Sequence, residues 1–263
     1  MGLGRKKFDL CLVLIWPIIA ALGSFALNAG LVVSMLLFLG APVAYLSFKY
    51  PRYIKKVALF AAILSVPVGI IVDHIMQQTG GWLTYSIFGS FRIFDYVIVD
   101  QIVWVFLWVY FVGIFYEVFI DQHKNVAPIS SKIKPFAIFM AVMLGLFVVA
   151  HFFSPALLNI DYFYLKLGVI GMIPLIVGLF KIPEVFGGIL RAGVYFFILS
   201  LVYELTALSL GQWSFPAENQ FIGIVKILGI SFPFEELFFW IIIGAVAVTA
   251  YYKLFAENGD NSR

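Results

Sequence analysis

Eight apolar stretches, each about long enough to cross a bilayer, follow one another along this chain. A helical span needs about 20 consecutive apolar residues, because each residue adds about 1.5 Å of rise toward about 30 Å of hydrocarbon. On that criterion the spans fall at 9–27, 30–48, 56–77, 96–120, 133–153, 161–181, 186–209 and 232–254. In lipid only a helix or a closed barrel satisfies its own backbone groups. The pattern therefore predicts an all-α membrane protein with about eight transmembrane helices. The chain is 63% hydrophobic and 12% charged, whereas a soluble domain is about 45–50% apolar and about 25% charged. Arg5, Lys6 and Lys7 precede the first run as they would in a secretion signal. The run is long and lacks a small-residue cleavage pattern after it, so it reads as a retained span.

The basic residues set an orientation. With the N-terminus inside, fourteen of the seventeen Lys and Arg fall on inner connections and only Arg92, Lys166 and Lys226 fall outside. The positive-inside rule then puts both termini in the cytoplasm. The expected location is the cell (cytoplasmic) membrane, crossed many times. No basic run with interleaved aromatics, phosphate loop or nucleotide fingerprint appears, so nucleic acid is not an expected partner and no cofactor is called for. Cys11 lies alone in an apolar run and reads as a small packing residue. His74, His123 and His151 lack metal-ligand spacing, so no metal is expected.

Two long connections resemble each other. Asp73 precedes Trp82 by nine residues, and Glu204 precedes Trp213 by nine. Each connection leads to a span headed by an acid, Asp100 in one and Glu235 in the other. Arg92 and Lys226 sit eight and nine residues before those acids. Pro42 and Pro174 interrupt the spans that open each unit. These matches predict two parallel three-helix repeats, 29–121 and 159–263, joined by a linking helix in 122–158, with 1–28 as an extra N-terminal helix. Parallel repeats pack about an axis along the membrane normal, with a site at their interface.

Glu235 and Glu236 are the costliest feature. An acid inside a span costs about 2.5–3.5 kcal/mol on insertion scales and marks a functional site by default. Being adjacent on a helix, the two point about 100° apart, so at least one must find a partner or a cavity. Facing repeats would gather Asp73, Asp100, Glu204, Glu235 and Glu236 at similar depth, where a low dielectric keeps them from all being ionised together. Trp82, Trp104, Trp213, Gln101, Phe238 and Phe239 lie around them as candidate substrate contacts. Acids beside aromatic faces suit one chemistry: a carbon–carbon double bond takes a proton, cation–π attraction holds the carbocation, and a carboxylate removes a proton elsewhere. A lipophilic polyene reaching the site from membrane lipid fits that chemistry. The bland readings are interfacial anchoring for Trp82 and Trp213, helix packing for Phe238 and Phe239, and interfacial placement for Glu117, His151 and Lys166.

On Glu204, Trp213 and the string Phe232-Pro233-Phe234-Glu235-Glu236-Leu237-Phe238-Phe239, the sequence resembles the membrane-embedded lycopene cyclase domain family of carotenoid pathways. Asp73, Trp82 and the span from Val97 match the same layout, and the resemblance covers about 29–256. It implies cyclisation of the end group of a linear carotenoid such as lycopene, with no net redox change. Asp100, Glu235 and Glu236 would then be the acid–base group, with Asp73 and Glu204 as supporting acids and the tryptophans shaping the pocket. The family occurs as two subunits or one fused chain, which leaves homo- and hetero-oligomers open. One departure stands out. The first repeat reads Ile98-Val99-Asp100-Gln101 instead of Pro-x-Glu-Glu, and an amide cannot exchange a proton. A non-catalytic polyene- or lipid-binding protein of the same fold is the alternative. A retinal pump would want a lysine in 232–252, and a Glu-Glu protease would want arginine where Trp240 stands.

Overall fold

The computed structural model describes residues 3–121, 129–181, 183 and 186–256. Each apolar run closes as a helix: α1 (Leu3–Ala26), α2 (Leu31–Lys49), α3 (Pro51–Gln78), α4 (Val99–Asp121), α5 (Ile133–Phe153), α6 (Phe163–Lys181) and α7 (Phe186–Ser209). The last, α8, has two limbs, Glu236–Ile242 and Gly244–Ala256, bent by 47°. Six of these helices are long and apolar enough to cross a membrane, and α8 is a seventh if its limbs form one span. The eighth expected span is α6, whose apolar part, Phe163–Gly178, is shorter. The chain is thus a multi-pass, all-α membrane protein.

Two helices start later than hydropathy places them, and backbone hydrogen bonding is the reason. Ahead of α4, Ile93 and Val97 exchange both N–H···O bonds, which closes a tight turn before the helix begins. Ahead of α8 lies an unexpected hairpin, β3 (Ile224–Ile227) with β4 (Ile230–Pro233). Its two turn residues, Leu228 and Gly229, have φ of 50° and 87°. Positive φ at both positions is what a type I′ hairpin turn requires. A second antiparallel pair joins the two connections that carry tryptophan: β1 (Leu83–Thr84) meets β2 (Trp213–Ser214), with Thr84 opposite Trp213.

Where helices cross closely, a missing Cβ makes the room. On Gly193 of α7 a Cβ would come within 2.5 Å of Val246 on α8, and on Gly113 of α4 within 2.8 Å of Val57 on α3. Small residues are the usual device for close approach in membrane bundles, where packing replaces the hydrophobic drive.

Buried charge fastens the end of the bundle opposite the connections that carry Trp82 and Trp213. Asp9 of α1 is fully buried and accepts hydrogen bonds from Tyr45 (2.6 Å), Tyr50 (2.7 Å) and Lys49. Glu117 was expected at the interface, but it is 2% exposed and pairs with Lys56 of α3, while the Tyr252 hydroxyl donates to it from α8. Charges taken out of water need such partners, because leaving one alone is strongly destabilising. Two further expectations change. Cys11 lies exposed on the outward face of α1 instead of packing. His151 pairs with His74, Nδ1 to Nε2 at 3.2 Å, so it is no isolated interfacial group. His123 lies outside the described residues.

Candidate functional site: an acidic, aromatic-walled cavity

The acid–tryptophan spacing has a simple local cause. Seven residues after each acid stands a glycine with left-handed backbone, Gly80 at φ 70° and Gly211 at φ 65°. Such a glycine ends a helix and turns the chain back. The indole two residues later folds over the last turns and meets the acid. Trp82 Nε1 donates to Asp73 Oδ1 at 3.0 Å, and Trp213 Nε1 donates to Glu204 Oε1 at 3.1 Å. Pairing of β1 with β2 then sets the two arms side by side.

The two acids differ in what else holds them. Asp73 also accepts the backbone N–H of Ile98 at 2.9 Å and the Gln77 amide at 3.2 Å. Counted back from Asp100 and Glu235, the position matching Ile98 is Pro233, which has no N–H to give. Glu204 therefore has no such donor on its second oxygen.

Asp100 and Glu235 also form a matched pair. Each accepts a backbone N–H from thirteen residues earlier, Ile87 at 3.2 Å and Ile222 at 2.8 Å respectively. Asp100 additionally takes the Ser86 hydroxyl. Both acids sit at helix starts, where the dipole favours negative charge, and both fasten the loop in front. Neither is among the cavity-lining residues. One oxygen of each, Asp100 Oδ2 and Glu235 Oε1, accepts from the loop backbone, while Glu235 Oε2 is buried and bonds to no described residue. The next residue along, Gln101 in one case and Glu236 in the other, turns to the cavity instead.

That cavity has a volume of about 150 Å³. Three acids line it: Asp73, Glu204 and Glu236. Its walls are aromatic, with Trp82, Trp104, Trp213 and Trp240 joined by Phe215 and Tyr164. Trp240 lies 4.8 Å from Trp104 and 3.9 Å from Trp108, centroid to centroid. The Tyr164 hydroxyl donates to Glu236 Oε2 at 2.7 Å and orients that carboxyl. Sequence reasoning missed Tyr164, since a tyrosine heading an apolar helix carries no distinguishing pattern. Trp82 and Trp213 are walls tied to acids. Phe238 and Phe239 stay outside the lining: Phe238 stacks on Phe234 at 5.7 Å, and the Phe239 ring fills the space over Gly168. Their expected substrate contact gives way to packing.

Glu204 and Glu236 are 3% and 7% exposed and line the same cavity. Two carboxyls in one apolar chamber can give a proton and take one, and facing aromatic rings stabilise positive charge. No cluster of three or more His, Cys, Asp or Glu among the described residues is arranged to hold a metal ion. Comparison with family models, with curated proteins and with solved structures finds no match to this chain.

Proposed function

We propose that the cavity carries out acid–base chemistry on the double bonds of a lipophilic polyene, closing a ring at the end of a lycopene-type linear carotenoid. The observation that carries the reading is the placement of Glu204 and Glu236 together on one aromatic-walled cavity. One carboxyl of the pair adds its proton to the terminal double bond. The cation forms at the more substituted carbon, and the neighbouring double bond attacks it, closing the ring. The other group, as carboxylate, removes a proton from the ring, so a double bond re-forms. Atoms and electrons balance without an oxidant or cofactor. Indole faces hold the cation while it lasts. Asp73, saturated by three donors, shapes the wall.

The basic-residue asymmetry supports both termini in the cytoplasm and the cavity in the outer half of the cell membrane. A second reading, a polyene-binding protein without turnover, draws on Gln101 standing where a matching acid would complete a second set. Expression in a host that accumulates lycopene, followed by pigment chromatography, separates the two. Cyclic carotenes that disappear with Glu236→Gln support the enzyme. Lycopene co-purifying unchanged with wild type and variant alike rejects cyclisation in favour of binding.

A further inference from the structure

Leaving the indoles aside, two uncharged polar side chains that line the cavity bond to no described residue. Gln101 lines the cavity from the first turn of α4, and its amide bonds to no described residue. Thr84 lines it from β1; it is 7% exposed, and its hydroxyl likewise bonds to no described residue. A primary amide offers two donors and an acceptor, and a hydroxyl offers one donor and two acceptors. Gln101 is half-buried and Thr84 buried; polar groups facing a cavity cost free energy when left unpaired, so a partner is expected in the cavity itself.

The two sides of the cavity are chemically unlike. Gln101 follows the loop-fastening Asp100, and its counterpart Glu236 follows the loop-fastening Glu235. Thr84 lies two residues after Trp82, and its counterpart Phe215 lies two after Trp213. One half thus presents an amide and a hydroxyl where the other presents a carboxyl and a phenyl ring. Asp73, the remaining acid of the first half, is fully engaged by Trp82, Gln77 and Ile98. The first half therefore offers neutral hydrogen-bonding groups to the cavity, while the second half offers Glu204 and Glu236.

We infer that the cavity selects an isoprenoid whose end carries a hydroxyl or keto oxygen, bound by Gln101 and Thr84 across from Glu204 and Glu236. This rests on the polyene reading of the same site and adds to it a preference for an oxygenated end group over the bare hydrocarbon end of lycopene. A cavity of about 150 Å³ is a volume that holds a benzene-sized guest. It therefore takes the end group, with the remaining chain left outside it.

Four of the six tryptophans, Trp82, Trp104, Trp213 and Trp240, line the cavity, so intrinsic fluorescence reports its filling. The full chain in lipid nanodiscs is titrated with geraniol and with 2,6-dimethyl-2,6-octadiene, the hydrocarbon of the same skeleton. The affinity ratio of the two is compared between wild type, Gln101→Leu and Thr84→Val, which cancels their different partitioning into lipid. Wild type should prefer the alcohol by about fivefold or more relative to either variant, with the difference arising from weaker alcohol binding in the variants. Thr84→Val preserves shape and keeps the test sound if Gln101→Leu folds poorly. Equal ratios in all three proteins overturn the oxygen subsite while leaving hydrocarbon binding intact. Absence of quenching by either probe overturns the isoprenoid reading together with it.

Discussion

Trp213 donates its indole N–H to Glu204 Oε1 at 3.1 Å, and no described residue donates to the other oxygen of that carboxylate. The same bond in the other half, Trp82 to Asp73 at 3.0 Å, belongs to an acid that also holds Ile98 and Gln77. One geometry therefore serves two purposes. Asp73 is a structural knot, and Glu204 keeps an acceptor for whatever enters the cavity.

That contrast predicts opposite mutational profiles. In Glu204→Gln the amide oxygen still accepts from Trp213, so the melting temperature of the purified protein should stay close to wild type while turnover is lost. Asp73→Ala strips acceptors from Trp82, Gln77 and Ile98. Each buried donor left alone costs about 1–3 kcal/mol, so the variant should melt far earlier or fail to accumulate. Similar melting temperatures for the two variants would sink the distinction.

Tyr164 positions Glu236 through one hydrogen bond of 2.7 Å in a buried setting. Tyr164→Phe keeps the ring in the wall and removes only the hydroxyl. A hydrogen bond to a charged acceptor contributes about 1.5–3 kcal/mol. Pigment conversion should fall by at least about tenfold, which corresponds to about 1.4 kcal/mol, with probe binding retained. Unchanged conversion would mean that Glu236 needs no orientation from α6.

Phe239 and Gly168 fit against one another so closely that a Cβ on Gly168 would lie 2.3 Å from Phe239 Cγ. Gly168→Ala must push the ring aside, and overpacking of this kind costs about 1–3 kcal/mol. Adding Phe239→Leu should recover much of that loss. Thermal melts of the two single variants and the double variant form the cycle that measures the coupling. Additive losses would show that the ring has room to move.

Much of the frame was legible because lipid allows so few solutions. Hydropathy alone located α1 to α8, since backbone groups in hydrocarbon force each long apolar run into a helix. The nine-residue spacing was legible as a pattern, and its cause lies in Gly80 and Gly211, whose left-handed turns return each indole to its acid. Side-chain direction was not legible. Adjacent residues on a helix diverge by about 100°, so the sequence could not tell which of Glu235 and Glu236 faces the cavity, nor that Gln101 does while Asp100 holds a loop. Tyr164, Asp9 and the Lys56–Glu117 pair were missed for a related reason. Their partners lie on other helices, and pairing between helices leaves no local period in a sequence. The β3–β4 hairpin was hidden within a connection read only for its acids and tryptophan.

Glu235 and Glu236 now part company, and their amide variants test the division. Glu235 is fully buried and accepts the Ile222 N–H at 2.8 Å, so it secures the hairpin in front of α8. In Glu235→Gln the amide oxygen can keep that bond, because acceptance from a backbone N–H needs no charge. Glu235→Ala removes the acceptor and frees the loop, at a cost of about 1–3 kcal/mol for the stranded donor. Glu236 lines the cavity, where the proposed chemistry asks it to gain or lose a proton, and an amide cannot. Glu235→Gln should therefore retain most conversion, Glu235→Ala should lose stability first, and Glu236→Gln should fold normally and convert nothing. Protease nicking near Ile222 provides the independent readout, rising for Glu235→Ala alone. Loss of conversion in Glu235→Gln with its loop still protected would return Glu235 to the acid–base group.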